Sequence, residues 1–285
     1  MDSSQVPAER TIGTILIGAG KLSAADAEKI TWEQERSNLR FGDAAVKLGL
    51  LTEADIKSVL AQQFGYPYLA YGDTSIAEEV MAAYNPFSVL VEELRDLRTQ
   101  LMLRWFEANA KRKCIAIASP ESGEGRSFIA ANLAVIFSQL GERTLLIDAD
   151  LRKPRQHQLF KIANTSGLST VLAGRSSVSD AIVKIDKLLC LSVLPAGPTP
   201  PNPQELLSRD AFHDTLNHYS ESYDVILIDT ASASENADAL MVASRASAVL
   251  LVARKNFSHL DAMQKLVINL QNSNINIVGS LLNEY

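Results

Sequence analysis

Residues 113–127 read KCIAIASPESGEGRS, and this stretch decides the fold. Lys113–Ser119 is apolar and uncharged after its lysine, which predicts a short buried strand. Pro120 to Gly125 form a loop with two glycines, and Arg126-Ser127 open a helix that runs on as FIAANLAVIFSQL. Strand, glycine loop, basic residue, hydroxyl and helix are the parts of a phosphate-binding loop. Glycine lets the backbone turn its N–H groups toward phosphate oxygens with no Cβ in the way. The helix N-terminus adds partial positive charge, and Ser127 is placed to ligate Mg²⁺. Pro120 stands where the usual pattern has its first glycine, and Arg126 stands where it has lysine. The alternative reading is a plain strand-turn-helix corner.

Two further stretches bear on that choice. Thr144–Arg152 is TLLIDADLR, an apolar strand ending in Asp148, Asp150 and Arg152, and Asp224–Thr230 is DVILIDT, ending in Asp229. Carboxylates at the C-terminal ends of parallel strands lie where open α/β sheets bind ligands. There they hold Mg²⁺ or accept a proton; a lone one is more simply a helix cap or turn former.

Together these segments resemble the bacterial tyrosine kinases of polysaccharide export, a branch of the P-loop ATPases related to partitioning ATPases. SPESGEGRS is similar to that family's first nucleotide motif, LLIDADLR to its second and VILIDT to its third, and PTPPNPQELL (198–207) to one of its loop-helix segments. Arginine at 126 fits best the EpsG-like chain-length-determinant subgroup. The resemblance implies ATP and Mg²⁺ as cofactors. It puts Ser122, Gly123, Glu124, Gly125, Arg126, Ser127 and Phe128 around the nucleotide, with Arg126 on the β/γ-phosphates. Ser127, Asp150 and Asp229 would surround Mg²⁺. Asp148 would orient or deprotonate the acceptor hydroxyl, with Asp150 as the alternative. It further implies a partner, a membrane chain-length-determinant protein whose cytoplasmic tail docks on the ATPase domain, and a homo-oligomer.

The chain has 285 residues, 47% of them hydrophobic, enough for a sizeable core in one to two domains. A net charge of −6 argues against nucleic acid as a partner. Cys114 and Cys190 lie in apolar runs and read as core thiols of a reducing compartment. MDSSQVPAER has no signal-peptide character, and no apolar run approaches the ~20 residues of a membrane span. The expectation is a cytoplasmic protein recruited to the inner face of the plasma membrane by its partner.

Residues 12–34 repeat at 41–63: Gly13 matches Gly42, Gly20 matches Gly49, Leu22 matches Leu51 and Gln34 matches Gln63. The constant offset marks an internal duplication. Each unit predicts a short helix, a glycine stop (Gly20, Gly49), a Ser23 or Thr52 cap with Asp26 or Asp55 three residues on, and a longer helix. The repeat resembles the N-terminal domain of type II secretion and type IV pilus assembly ATPases, some of which bind cyclic di-GMP. In the second unit Arg40 is the candidate contact for cyclic di-GMP, its fork suiting a phosphate or a guanine edge. The alternative is a docking module in which Arg40 is merely solvated.

These readings predict a small helical domain over 1–70, a linker over 71–87, and a mainly parallel P-loop sheet with helices on both faces over 88–285. The last begins with a helix carrying Glu92, Arg95 and Arg98. That spacing allows intrahelical pairing, and by family resemblance it is a contact between subunits of a ring. Arg152-Lys153-Pro154-Arg155 either meets phosphates or a partner or is an exposed basic turn. Asn202 is expected to cap a helix with Pro203 first, and helices are expected over 235–245 and 257–271. Tyr285 is the only tyrosine at the tail, either an acceptor or an ordinary residue. Besides the kinase, two readings stay open: an ATP-dependent switch that assembles the export machinery without phosphorylating it, and a cyclic di-GMP sensor with an ATPase output.

Overall fold

A computed structural model describes residues 12–18, 20–53, 55–56, 59, 68–69, 73–109, 112–188 and 190–284. The chain forms two compact units, Met1–Pro67 and Tyr68–Tyr285.

In the first unit, helices α1 (Ile12–Gly18), α2 (Ala24–Ser37) and α3 (Phe41–Lys47) surround a small apolar core. The duplication explains that core. Ile15 and Ala44, Leu16 and Ala45, Leu22 and Leu51, and Ile30 and Val59 are equivalent positions of the two repeats, and all eight face it. Gly20 and Gly49 take positive φ, +69° and +66°, where a Cβ would be strained. Asp26 N–H donates to Ser23 Oγ and Asp55 N–H to Thr52 Oγ1, while Thr52 N–H donates back to Asp55 at 3.0 Å, a reciprocal cap.

The second unit is a seven-stranded sheet in the order β3-β4-β2-β5-β1-β6-β7. Its strands are β1 (Cys114–Ala118), β2 (Thr144–Asp148), β3 (Val183–Lys184), β4 (Leu191–Leu194), β5 (Val225–Asp229), β6 (Ala248–Arg254) and β7 (Asn276–Asn283). All neighbours pair in parallel except β3 with β4. Alternate residues of each strand serve opposite faces. Ile115, Ile117, Leu146 and Leu227 face the core under α4 (Val89–Leu101) and α5 (Arg126–Gln139). Ala116, Ala118, Leu145 and Ile226 face the core under α6 (Asp210–Ser222), α7 (Asp238–Ala246) and α8 (Leu260–Asn272). Both faces being covered explains why the central strands are apolar up to their terminal aspartates, Asp148 and Asp229.

Several segments depart from expectation. Of the stretch read as a linker, Ile76, Val80, Ala82 and Ala83 are buried in the sheet's core. Buried Asn132 of α5 ties that stretch down, accepting from Ala82 N–H at 2.9 Å and donating to Glu79 carbonyl at 3.1 Å. Small, sparse apolar residues among turn formers hid a strap that gains its stability from α5. The helix after Val89 ends as α-helix at Leu101 and runs on over Met102–Phe106 as π-helix, from which Trp105 Nε1 reaches Cys114 carbonyl at 3.1 Å. Burial pushes the Cys114 thiol up to about 12, so it is inert. Asn202 precedes the helix Pro203–Ser208 and its carbonyl accepts Leu206 N–H at 3.2 Å, but its side chain makes no cap bond to the helix N–H groups; its amide donates to Glu205 instead.

Candidate functional site

The phosphate loop rises from the C-terminal end of β1 and enters α5 at Arg126. Gly123 and Gly125 hold positive φ, +85° and +99°. At Gly125 a Cβ would lie 2.2 Å from Asn283 Nδ2, so only glycine fits. The N–H groups of Ser122, Gly123, Glu124 and Gly125 donate to no backbone acceptor among the described residues. Together with the free N–H groups of the first turn of α5 they form an anion nest.

Register brings the acidic residues to this loop. Asp148 pairs with Asp229 across β2 and β5, next to β1. Both are fully buried. Burial raises Asp229 to about 6, against the pull of the Ser127 hydroxyl, the Gln156 amide and the Arg126 charge. Gln156 Nε2 donates to its Oδ2 at 2.8 Å, and its buried Oδ1 has no hydrogen-bond partner among the described residues. Burial and the neighbouring Asp229 raise Asp148 well above the carboxylate range. Asp148 Oδ1 accepts Asp150 N–H at 3.2 Å, and Oδ2 accepts Arg155 and Gln156 N–H at 3.0 and 2.9 Å. Asp150 is 7% exposed, and its Oδ1 accepts Arg152 and Lys153 N–H.

The orphan Asp229 oxygen, the Ser127 hydroxyl beside it and the open nest fit a divalent cation held with a phosphate. No His, Cys, Asp and Glu cluster among the described residues would cage a metal unaided. Mg²⁺ characteristically takes one or two carboxylates and leaves the rest of its shell to water and phosphates.

Arg126 is buried, 7% exposed. Its Nε donates to Thr230 carbonyl at 2.9 Å, and its Nη1 to Glu121 carbonyl at 2.6 Å and to Ser119 Oγ. Nη2, on the same fork, makes no such bond among the described residues.

The other candidates are placed as follows. Ser122 and Gly123 are exposed on the loop, while Phe128 is half-buried and packs on the core below it. Glu124 is fully buried and its carboxylate faces away from the nest, accepting Glu121 N–H at 2.7 Å and the Ser258 hydroxyl. The basic turn is neither free nor simply solvated: Arg152 grips buried Asp238 at 2.6 and 3.2 Å, Lys153 lies 3.8 Å from Glu235, and Arg155 pairs with Glu79. On α4, Arg95 pairs with Glu92 and Arg98 Nη1 donates to Ile136 carbonyl at 3.3 Å. Arg40, in the first unit, is exposed at the start of α3 without a side-chain cap bond. Tyr285 lies outside the described residues.

Sequence reasoning missed Arg254, Ser258, Asn283 and Gln156. The expected helix over 257–271 starts at Leu260, because Ser258 Oγ accepts Arg254 N–H at 2.7 Å and folds the preceding residues into a turn against the loop. The expected helix over 235–245 likewise begins at Asp238.

A parallel sheet with a phosphate nest over its central strand and two strand-end carboxylates beside it defines a P-loop nucleotide-binding protein. The family described as CbiA, the CobQ/CobB/MinD/ParA nucleotide-binding domain, matches residues 115–285. The chain belongs to this family, and within it to the group of bacterial tyrosine-protein kinases. It is 36% identical over 204 residues to tyrosine-protein kinase YwqD of Bacillus subtilis, covering 72% of this chain and 85% of that one. It is 35% identical over 233 residues to a protein of the Klebsiella pneumoniae cps region named as a tyrosine-protein kinase, but spans only 31% of that protein's length. Among solved structures, the kinase domain of Escherichia coli tyrosine kinase ETK matches with TM-score 0.68 and 32% identity, over 72% of this chain and 79% of that one. The septum site-determining protein MinD of Pyrococcus horikoshii, complexed with Mg-ADP, matches with TM-score 0.54 and 25% identity, over 61% of this chain and 70% of that one. A cyclic di-GMP role for Arg40 finds no support in these findings. No helix among the described residues is long and apolar enough to cross a membrane.

Proposed function

We propose that this chain is an ATP-dependent protein tyrosine kinase that regulates exopolysaccharide chain length and export together with a membrane chain-length protein. The observation that carries the reading is the N–H nest set against the Asp148–Asp229 pair, in a chain similar to proteins named as tyrosine kinases. Arginine at 126 supports the chain-length-determinant subgroup, and the duplicated first unit supports a docking role like that of the secretion-ATPase N-terminal domain.

In this reading the nest and Arg126 Nη2 bind the phosphates of ATP, and Ser127, Asp150 and Asp229 hold Mg²⁺. The cation would neutralise charge on the phosphates during transfer. Asp148 has the raised proton affinity that suits a general base. It accepts the acceptor's proton once the turn at 150–156 releases its oxygens; Asp150, whose Oδ1 takes Arg152 and Lys153 N–H, is the alternative base. A nucleotide switch without kinase activity is the second reading. The observation favouring it is that Arg126 already gives three donor contacts to the protein.

Mass spectrometry after incubation with Mg-ATP and a peptide of the partner's cytoplasmic tail separates the two. Phosphotyrosine on the chain or the peptide is the expected result; free phosphate alone would leave the switch.

Self-association through α4 is part of the same proposal. Glu92 and Arg95 pair within the helix here, and a neighbouring subunit would exchange those partners. Replacing Arg95 and Arg98 together by glutamate should dissolve the oligomer and leave nucleotide affinity within about twofold, since rim charges set association more than folding. Sedimentation of the double variant with Mg-ATP and the tail peptide checks this. Assembly as in wild type would make α4 an ordinary surface helix.

A further inference from the structure

For the N–H groups of a loop to converge on a phosphate, the carbonyls of the same peptides must turn outward. A carbonyl turned into protein needs a donor. Here the donors are identifiable. The carbonyls of Ser119 and Pro120 accept from Ala233 and Ser234 N–H at 3.1 and 2.8 Å. That of Glu121 takes Arg126, that of Gly123 takes Arg254 Nη1 at 3.0 Å, and that of Glu124 takes Asn283 Nδ2 at 3.1 Å. The Glu124 side chain poses a second problem, because a carboxylate in an anion nest repels the anion. It is turned the opposite way and held there by Glu121 N–H at 2.7 Å and by the Ser258 hydroxyl. Ser258 is itself oriented by Arg254 N–H at 2.7 Å.

We infer that Arg254, Ser258 and Asn283 are positioning residues of the phosphate loop: they hold its carbonyls and the Glu124 carboxylate outward, and so keep its N–H groups inward. None of the three has to touch the nucleotide. The inference rests on the loop's binding nucleotide phosphates, as its family does. Nucleotide affinity reports on it whether or not the chain phosphorylates tyrosine.

The test compares ADP and AMP binding by the full chain, its Ser258→Ala variant and its Ser258→Thr variant. Loss of the hydroxyl frees Glu124 to swing toward the nest. ADP affinity should then fall roughly tenfold, the scale of one hydrogen bond to a charged group. AMP, which lacks the second phosphate, should change by less than about twofold on the same scale. Threonine keeps the hydroxyl and should restore ADP binding. ADP binding by the alanine variant at wild-type strength would overturn the inference. So would failure of threonine to rescue, or an equal loss for AMP, which would mark general damage. Asn283→Asp supplies an independent arm, setting an acceptor against the Glu124 carbonyl. It should lower ADP affinity while far-UV circular dichroism stays unchanged, and unaltered ADP binding would again refute the role.

Discussion

Asp229→Asn should lower Mg²⁺-dependent nucleotide turnover a hundredfold or more and at the same time stabilise the nucleotide-free protein. Turnover falls because asparagine removes the negative charge from the buried oxygen that fits a cation. That charge is worth several kcal/mol when phosphates must be neutralised in a dry site, and roughly a hundredfold in rate corresponds to under 3 kcal/mol. Stability rises because a fully buried carboxylate is held against its preference for water. Its proton affinity moves from the usual 3.8 to about 6, on the order of 3 kcal/mol against the charged form. The sign follows directly. Between those two values the folded protein keeps a proton that the unfolded chain releases, so stability falls as pH rises through about 6. The asparagine variant should lose this fall. Its melting temperature should exceed that of wild type at pH 8, and the two curves should converge toward pH 4. Thermal melts across that range, with phosphate release at pH 8, check both halves. Wild-type turnover in a folded Asp229→Asn variant would remove Asp229 from the site.

Arg126→Ala should weaken nucleotide binding roughly a hundredfold, and Arg126→Lys by less than about tenfold. Alanine deletes the buried positive charge at the mouth of α5 and leaves the carbonyls of Glu121 and Thr230 without this donor. Charge-assisted bonds of this kind are worth about 1.5–3 kcal/mol each. Lysine keeps the charge and reaches phosphate as a point donor, but it cannot also bridge to Thr230 and hold both loop acceptors as the guanidinium does. Titration of ADP into the two variants gives the answer. If alanine binds as tightly as arginine, the guanidinium serves the loop's shape and Nη2 does not reach the phosphates.

The sequence by itself determined what is local in this protein. A charge-free run ending in SPESGEGRS predicts strand, nest and helix, because glycine φ and a helix N-terminus are properties of adjacent residues. The constant repeat offset predicted the glycine stops and the Ser23 and Thr52 caps of the first unit for the same reason. The aspartates at the ends of two apolar strands were legible as carboxylates gathered at one edge of the sheet, since parallel strands bring such ends together.

Tertiary structure decided everything that depends on partners far along the chain. The strap at 73–85 looks like a linker until Asn132, 50 residues from Ala82, satisfies its backbone. Glu124 reads as part of a nucleotide motif, and its carboxylate is taken by Ser258, 134 residues away. Gly125 is close to Asn283 only because β6 and β7 pair in parallel beside β1. Asp148 and Asp229 acquire raised proton affinities only when the covering layers bury them, and for Asp148 when sheet register also sets Asp229 beside it. A hydrogen bond or a desolvated charge belongs to a place in space, and no window of sequence contains both of its sides.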